Sequence, residues 1–189
     1  MAPKRVVKAG GSLLMEPGIG PWLARWLNQL PADPPILVVG GGPFADVIRQ
    51  ADAAHGLGDR AAHWLAIDAM GLAAELLVQL LPDACLVREL AAVEAALDQG
   101  CWPVLLVGDA LRRRPDALPH SWDVTSDSIA AWLALEWSVP RLTLLKRRAA
   151  GPPSGPREWA AAGLVDPYFP TLASRLDVEL LDFSAKSSG

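Results

Sequence analysis

Histidine, cysteine and tyrosine are scarce in this chain, with three, two and one in 189 residues. His55, His63 and His120 stand at no spacing, to each other or to acids, that makes a metal centre, and Cys85 and Cys101 belong to no ligand pattern. No metal ligand is therefore assigned. Both cysteines sit beside apolar runs, which predicts buried free thiols and a reducing, cytoplasmic setting. A Gly-x-Ser-x-Gly elbow is missing, which removes the main support for a hydrolase. Basic excess is missing too. Seventeen Lys and Arg against 21 Asp and Glu leave a net charge of −4, so neither nucleic acid nor an anionic membrane is indicated, and any anion site has to be local. The opening Met1-Ala2-Pro3-Lys4-Arg5 lacks a signal-peptide apolar region, and no uninterrupted apolar run reaches the ~20 residues of a membrane span.

Apolar residues are plentiful, at 51% against 20% charged, as in a globular chain. A chain of this length buries about 70% of its unfolded surface. Short continuous apolar runs at 5–8, 36–39, 84–87, 103–107, 142–146 and 178–181 read as strands. Helical patterns at 20–30, 43–55, 59–81, 90–99, 123–137 and 170–175 separate them. Strands that are apolar throughout, rather than alternating, are covered on both faces. The expectation is an α/β fold, a three-layer sandwich with a mainly parallel central sheet, in a single domain over 1–189. Residues 148–156 read as a loop and 184–189 as a frayed tail.

Three segments are suited to holding phosphate. Lys8-Ala9-Gly10-Gly11-Ser12 follows the first strand, so Lys8 sits at a strand C-terminus, where open α/β sheets bind ligands. Gly10 and Gly11 allow close backbone approach, and Ser12 offers a hydroxyl. Gly40-Gly41-Gly42-Pro43 follows the second strand, with proline suited to the first helical position. Three successive glycines cost more backbone entropy than a packing turn requires, which favours ligand contact. Asp123-Val124-Thr125-Ser126-Asp127-Ser128 opens an apolar helix. Asp123 or Thr125 suits an N-cap, and Asp127 is placed to hold ammonium groups. Lys146 ends its strand as Lys8 does, although a solvated basic cluster with Arg147 and Arg148 explains it equally simply. Arg112, Arg113 and Arg114 read first as a solvated loop and second as a clamp for an acidic substrate. His120 lies near the third segment and is a secondary candidate for substrate contact.

These segments together resemble the amino acid kinase superfamily, in Val7-Lys8-Ala9-Gly10-Gly11-Ser12, Val38-Val39-Gly40-Gly41-Gly42-Pro43-Phe44-Ala45 and Thr125-Ser126-Asp127-Ser128-Ile129-Ala130-Ala131. The stretch from Leu118 to Trp132 is similar to the branch that phosphorylates [5-(aminomethyl)furan-3-yl]methyl phosphate in methanofuran biosynthesis. The resemblance implies an ATP- and Mg²⁺-dependent kinase with a small phosphorylated acceptor, assembled as a homo-oligomer. It implies Lys8 on the transferring group, Gly10, Gly11 and Ser12 on the donor, and Gly40, Gly41 and Gly42, with Thr125 and Ser126, on the acceptor. It further implies that Asp127 orients both lysines and that Lys146 lies on the leaving-phosphate side. The acceptor half would span about 1–110 and the nucleotide half about 111–189. Many relatives carry Thr-Asp-x-Asp-Gly after the strand ending at Lys146, whereas this chain runs Lys146-Arg147-Arg148-Ala149-Ala150-Gly151-Pro152-Pro153 and has a shortened C-terminal half. Two other readings use the same fold: a kinase forming an acyl phosphate, and a non-catalytic anion-binding protein.

Overall fold

Strand β2, Pro35–Val39, is buried at all five positions, which only helices on both faces of a sheet can satisfy. The computed structural model describes residues 2–30, 34–115, 117–147 and 155–183. Around β2 lie β1 (Arg5–Ala9), β3 (Ala84–Val87), β4 (Trp102–Leu105), β5 (Arg141–Lys146) and β6 (Asp177–Asp182). Their order is β3-β4-β2-β1-β5-β6, and every pairing is parallel. The predicted α/β sandwich is present, with a sheet that is wholly rather than mainly parallel.

Strand alternation sorts the core into two layers. Val7, Leu37 and Val39 point to one face, against α1 (Ile19–Asn28) and the C-terminal half of α3 (Asp59–Leu80). Val6, Val38, Leu142 and Leu144 point to the other, against α6 (Ser126–Glu136) and a short helix, Phe169–Ala173. Each fully buried leucine contributes about 2 kcal/mol relative to exposure. The remaining helices are α2 (Gly42–His55), α4 (Leu90–Asp98), α5 (Val107–Arg112) and α7 (Pro156–Ala161), with Phe169–Ala173 as α8.

Two expectations change, on Arg112 and on the cysteines. Residues 107–112 form helix α5, so Arg112 ends a helix instead of lying in a loop. The expected loop at 148–156 lies outside the described residues except for Gly155 and Pro156, and Pro156 opens α7; the expected tail at 184–189 also lies outside them. Helix α3 has 22 residues, and an 18-residue window of it with mean hydropathy 1.4 is long and apolar enough to cross a membrane by length and composition alone. It packs along β2, β3 and β4 and carries Asp59, Arg60, Asp68 and Glu75, as a core helix does. Cys85 and Cys101 are joined in a disulfide, with Cα atoms 6.1 Å apart, and are not free thiols. The α4 crossover brings the start of β4, with Cys101 just before it, beside β3, a closeness that sequence spacing does not report. The compartment inferred from free thiols loses that support.

Candidate active site

Strand register builds the centre of the site. Val6 and Lys8 share one face of β1, and Leu144 and Lys146 share the same face of β5. Lys8 pairs with Leu144, so Lys146 stands two positions further along the neighbouring strand. Helix α6 lies over that face and lowers Asp127, in its first turn, between the two lysines. Lys8 Nζ is 2.9 Å from Asp127 Oδ1, and Lys146 Nζ is 2.7 Å from Oδ2. Lys8 is 3% and Asp127 4% exposed, so this charge triad, net +1, is nearly dry.

Burial works to raise the Asp127 pKa, but Lys8 and then Lys146 outweigh it and hold the carboxyl below its ordinary value. Burial lowers the Lys146 pKa to about 8, helped by the Lys8 charge and opposed by Asp127. Arg147 pairs with Glu16, so only Lys146 of that basic cluster joins the triad among the described residues.

The two glycine segments form one structure. A Cβ on Gly11 would lie 2.2 Å from Gly40 O and Gly42 N, and Gly42 adopts φ +50°, where only glycine is unstrained. Backbone packing therefore accounts for Gly11 and Gly42, so the successive glycines are needed by packing and are not by themselves a sign of ligand contact. The packing also leaves donors. Among the described residues the N–H groups of Gly11, Ser12, Gly41 and Gly42 meet no acceptor, nor do those of Ser126 and Asp127 at the start of α6. All six residues line one cavity of about 310 Å³, with Lys8, Gly10 and Lys146. Unpaired N–H groups around two ammoniums make an anion cradle.

Gly40 is not in the cavity wall. It lies behind it, where a Cβ would sit 2.7 Å from Ser126 Oγ and 3.4 Å from Lys8 Cε. Thr125 lines the cavity, but its hydroxyl donates to Asp166 Oδ2 at 2.9 Å. Asp166, from the α7–α8 link, also accepts from the N–H groups of Thr125 and Ser128 at 3.0 Å and of Phe169 at 2.9 Å, and from the Ser128 hydroxyl. The cap of α6 thus comes from a distant residue, not from Asp123 or Thr125. A single aspartate before Pro167 carries no signal of this role in sequence.

Arg112, Arg113 and Arg114 are each paired at the surface, to Asp68, Glu89 and Glu136, and none lines the cavity. His120 stacks on His63 at 4.5 Å and does not line the cavity itself. His63 does, and sequence reasoning missed it; the clue is helical spacing, since Asp59, His63 and Ile67 share one face of α3.

A sequence profile of the amino acid kinase family matches residues 3–148. The chain is 30% identical over 138 residues to the [5-(aminomethyl)furan-3-yl]methyl phosphate kinase of Methanocaldococcus jannaschii, a match covering 68% of this chain and 58% of that one. The chain therefore spans little more than half the length of this curated relative. Similar folds include uridylate kinase from Archaeoglobus fulgidus (TM-score 0.64, 16% identity, 95% of this chain and 90% of that one). UMP kinase from Ureaplasma parvum gives a TM-score of 0.64 at 12% identity, over 97% and 91%. Aspartate kinase from Synechocystis gives 0.59 at 16% identity, over 93% and 38%. At such identities these structures speak for the fold alone.

Proposed function

This chain belongs to the amino acid kinase family, and on that premise we propose that it transfers the γ-phosphoryl group of ATP to a phosphate monoester, giving ADP and a diphosphate. The observation that carries this reading is the Lys8–Asp127–Lys146 triad set among unpaired N–H groups in one cavity. The acceptor is [5-(aminomethyl)furan-3-yl]methyl phosphate or a related methanofuran precursor, a choice that rests on the relative's name.

Phosphoryl transfer depends on positioning and charge neutralisation more than on covalent help from the protein. An acceptor phosphate has its second pKa near ~6, so it arrives already ionised and needs no general base. What it needs is relief from repulsion by the donor phosphates. Lys8 and Lys146 supply positive charge there, and Asp127 keeps both ammoniums aimed at one place with a net +1 remaining. The N–H groups of Gly11 and Ser12 suit the donor side, and those of Gly41, Gly42 and Ser126 the acceptor side. Among the described residues no group of three or more His, Cys, Asp or Glu is placed to hold a metal ion, and Asp127 is engaged by both lysines. Mg²⁺ would therefore be held through nucleotide phosphate oxygens, where it supplies further charge neutralisation.

A homo-oligomer belongs to the same reading. Helix α2 has no fully buried residue, and Val47, Leu65 and Leu72 on α2 and α3 are exposed. Sedimentation of the purified chain tests it, and a monomer at all concentrations removes it.

Offering the chain Mg²⁺-ATP with phosphate monoesters and with amino acid carboxylates, while following ADP release, tests the main reading. Turnover with monoesters is expected. Turnover with carboxylates alone would change the acceptor, and no ATP or ADP binding at millimolar concentration would leave a non-catalytic anion-binding protein.

A further inference from the structure

The cavity is polar in a directional sense. Helix α3 follows α2 after a three-residue link and folds back along it, so the first turns of α3 face the later turns of α2, away from the glycine loops. On α3 the cavity wall is Asp59, Ala62, His63, Ala66, Ile67 and Met70, a single helical stripe that runs inward from Asp59. On α2 the outermost lining residue is Arg49, whose charge is already met by Asp46 at 3.0 Å and whose guanidinium lies 4.5 Å over the Trp122 ring. Asp52 in turn accepts from Trp122 Nε1 at 2.8 Å. Asp59 has no cation partner among the described residues. Among the side chains that line the cavity, Lys8, Asp127 and Lys146 therefore sum to +1 at the lysine end, and Asp46, Arg49 and Asp59 to −1 along the outer part.

His63 adds the second observation. It is 7% exposed, it lines the cavity, and its ring makes no hydrogen bond among the described residues. Its ring contacts are His120, stacked at 4.5 Å and held by a hydrogen bond between Nε2 and the Pro115 carbonyl oxygen, and the edge of Trp64. Burial first, and the neighbouring His120 second, lower the His63 pKa to about 4, so the imidazole is neutral near pH 7 and keeps a lone pair.

We propose that Asp59 and His63 form a receiving end for a protonated amine, so that the acceptor is a small zwitterion with its phosphate at the lysines and its ammonium at the outer end of the cavity. An ammonium satisfies the carboxylate by charge and the imidazole nitrogen by donating a hydrogen bond. A hydroxyl would satisfy His63 and leave Asp59 without a counter-charge. The apolar stripe of Ala62, Ala66 and Ile67 between the two ends suits a small ring or chain, and about 310 Å³ is at the small end of ligand sites. Asp59 and His63 are specificity-determining residues in this arrangement, with no part in the transfer step. The inference rests on the phosphate-acceptor reading above.

The test is calorimetry on the full chain without nucleotide, using [5-(aminomethyl)furan-3-yl]methyl phosphate and the same molecule with hydroxymethyl in place of aminomethyl. The amine form is expected to bind about tenfold tighter. Asp59→Asn, a change at an exposed position, should abolish most of that preference by weakening binding of the amine form. His63→Gln should reduce it, and in turnover both variants should raise KM for the amine substrate with kcat retained. Equal affinity in the unaltered chain, binding of neither probe, or a preference that persists in Asp59→Asn would overturn the inference, and a preference undiminished in His63→Gln would remove His63 from it. An amine preference without phosphoryl transfer from ATP would leave the inference standing and remove the kinase reading. Transfer without the preference would do the reverse.

Discussion

Two buried carboxylates stand on either side of the start of helix α6, and the chain treats them differently. Asp127 faces inward, 2.9 Å from Lys8 and 2.7 Å from Lys146. Asp166 accepts from three N–H groups and two hydroxyls and has no cation partner among the described residues. Neutral donors suffice when a carboxylate's task is to tie the starts of two helices together. Two mobile ammoniums would be a poor choice for that, because burying charge costs several kcal/mol per ion before any attraction is recovered. A triad with net positive charge in a cavity wall makes sense when a further anion completes it. On the proposed function, the difference separates a structural carboxylate from one that serves the site.

That contrast can be broken by substitution. The largest effect is expected from Lys8→Ala, which on the proposed function removes fixed charge aimed at the transferring group. Turnover should fall roughly 100- to 1000-fold, about 3–4 kcal/mol, while the melting temperature stays close to that of the unaltered chain; near-normal turnover would end the proposal. Asp166→Ala should do the opposite. It strands the N–H groups of Thr125, Ser128 and Phe169, so chemical denaturation should report a loss of about 3 kcal/mol. An unchanged denaturation midpoint would mean that water replaces the carboxylate at no cost.

A pH profile sharpens the comparison, because it reaches only the carboxylate with titrating partners. Lys146 has its pKa lowered to about 8 by burial and Lys8. Between about 8 and its ordinary 10.5 the unfolded chain keeps a proton that the folded chain has lost, so this group favours the folded state increasingly as pH rises through that window. The same loss removes a positive charge from the site, and kcat/KM should fall by up to about tenfold per unit above pH 8. A profile flat to pH 10 would show that Lys146 need not be charged. Asp127 acts in the same direction at the acid end: its depressed pKa gives stability that is present above its ordinary 3.8 and lost as pH falls through the folded value.

The smallest effect belongs to a third kind of carboxylate, one paired in water. Arg113 and Glu89 meet at 2.8 Å with both side chains largely exposed. Arg113→Ala should cost less than about 1 kcal/mol and leave turnover unaltered. A large loss of turnover in that variant would revive the arginine clamp for an acidic substrate.

Much of this was legible along the chain, and what was not has physical reasons. Unbroken apolar runs located all six strands to within two residues, because burial on both faces leaves no polar position to confuse the pattern. Helix α5 was missed because it is six residues long and follows β4 almost without a break. Lys8, Asp127 and Lys146 were recognisable as candidates because each sits at the end of an apolar element. The glycines were located for a reason only half correct, since Gly11 and Gly42 are needed by each other's backbone before any ligand is considered. His63 looked like an isolated histidine because nothing local distinguishes a cavity wall from a core.

Local patterning was enough to determine the six strands, the longer helices, and which positions lack side chains so that backbone can approach backbone. These follow from the two-residue and 3.6-residue periods of the chain and from the freedom of glycine. Only the tertiary structure decided which charges meet, that Asp166 caps α6, that Cys85 bonds Cys101, and that one end of the cavity is positive and the other negative. The periods fix the face on which a side chain lies, but its neighbour is set by strand order and helix crossing, which join residues far apart in the chain and leave no local trace.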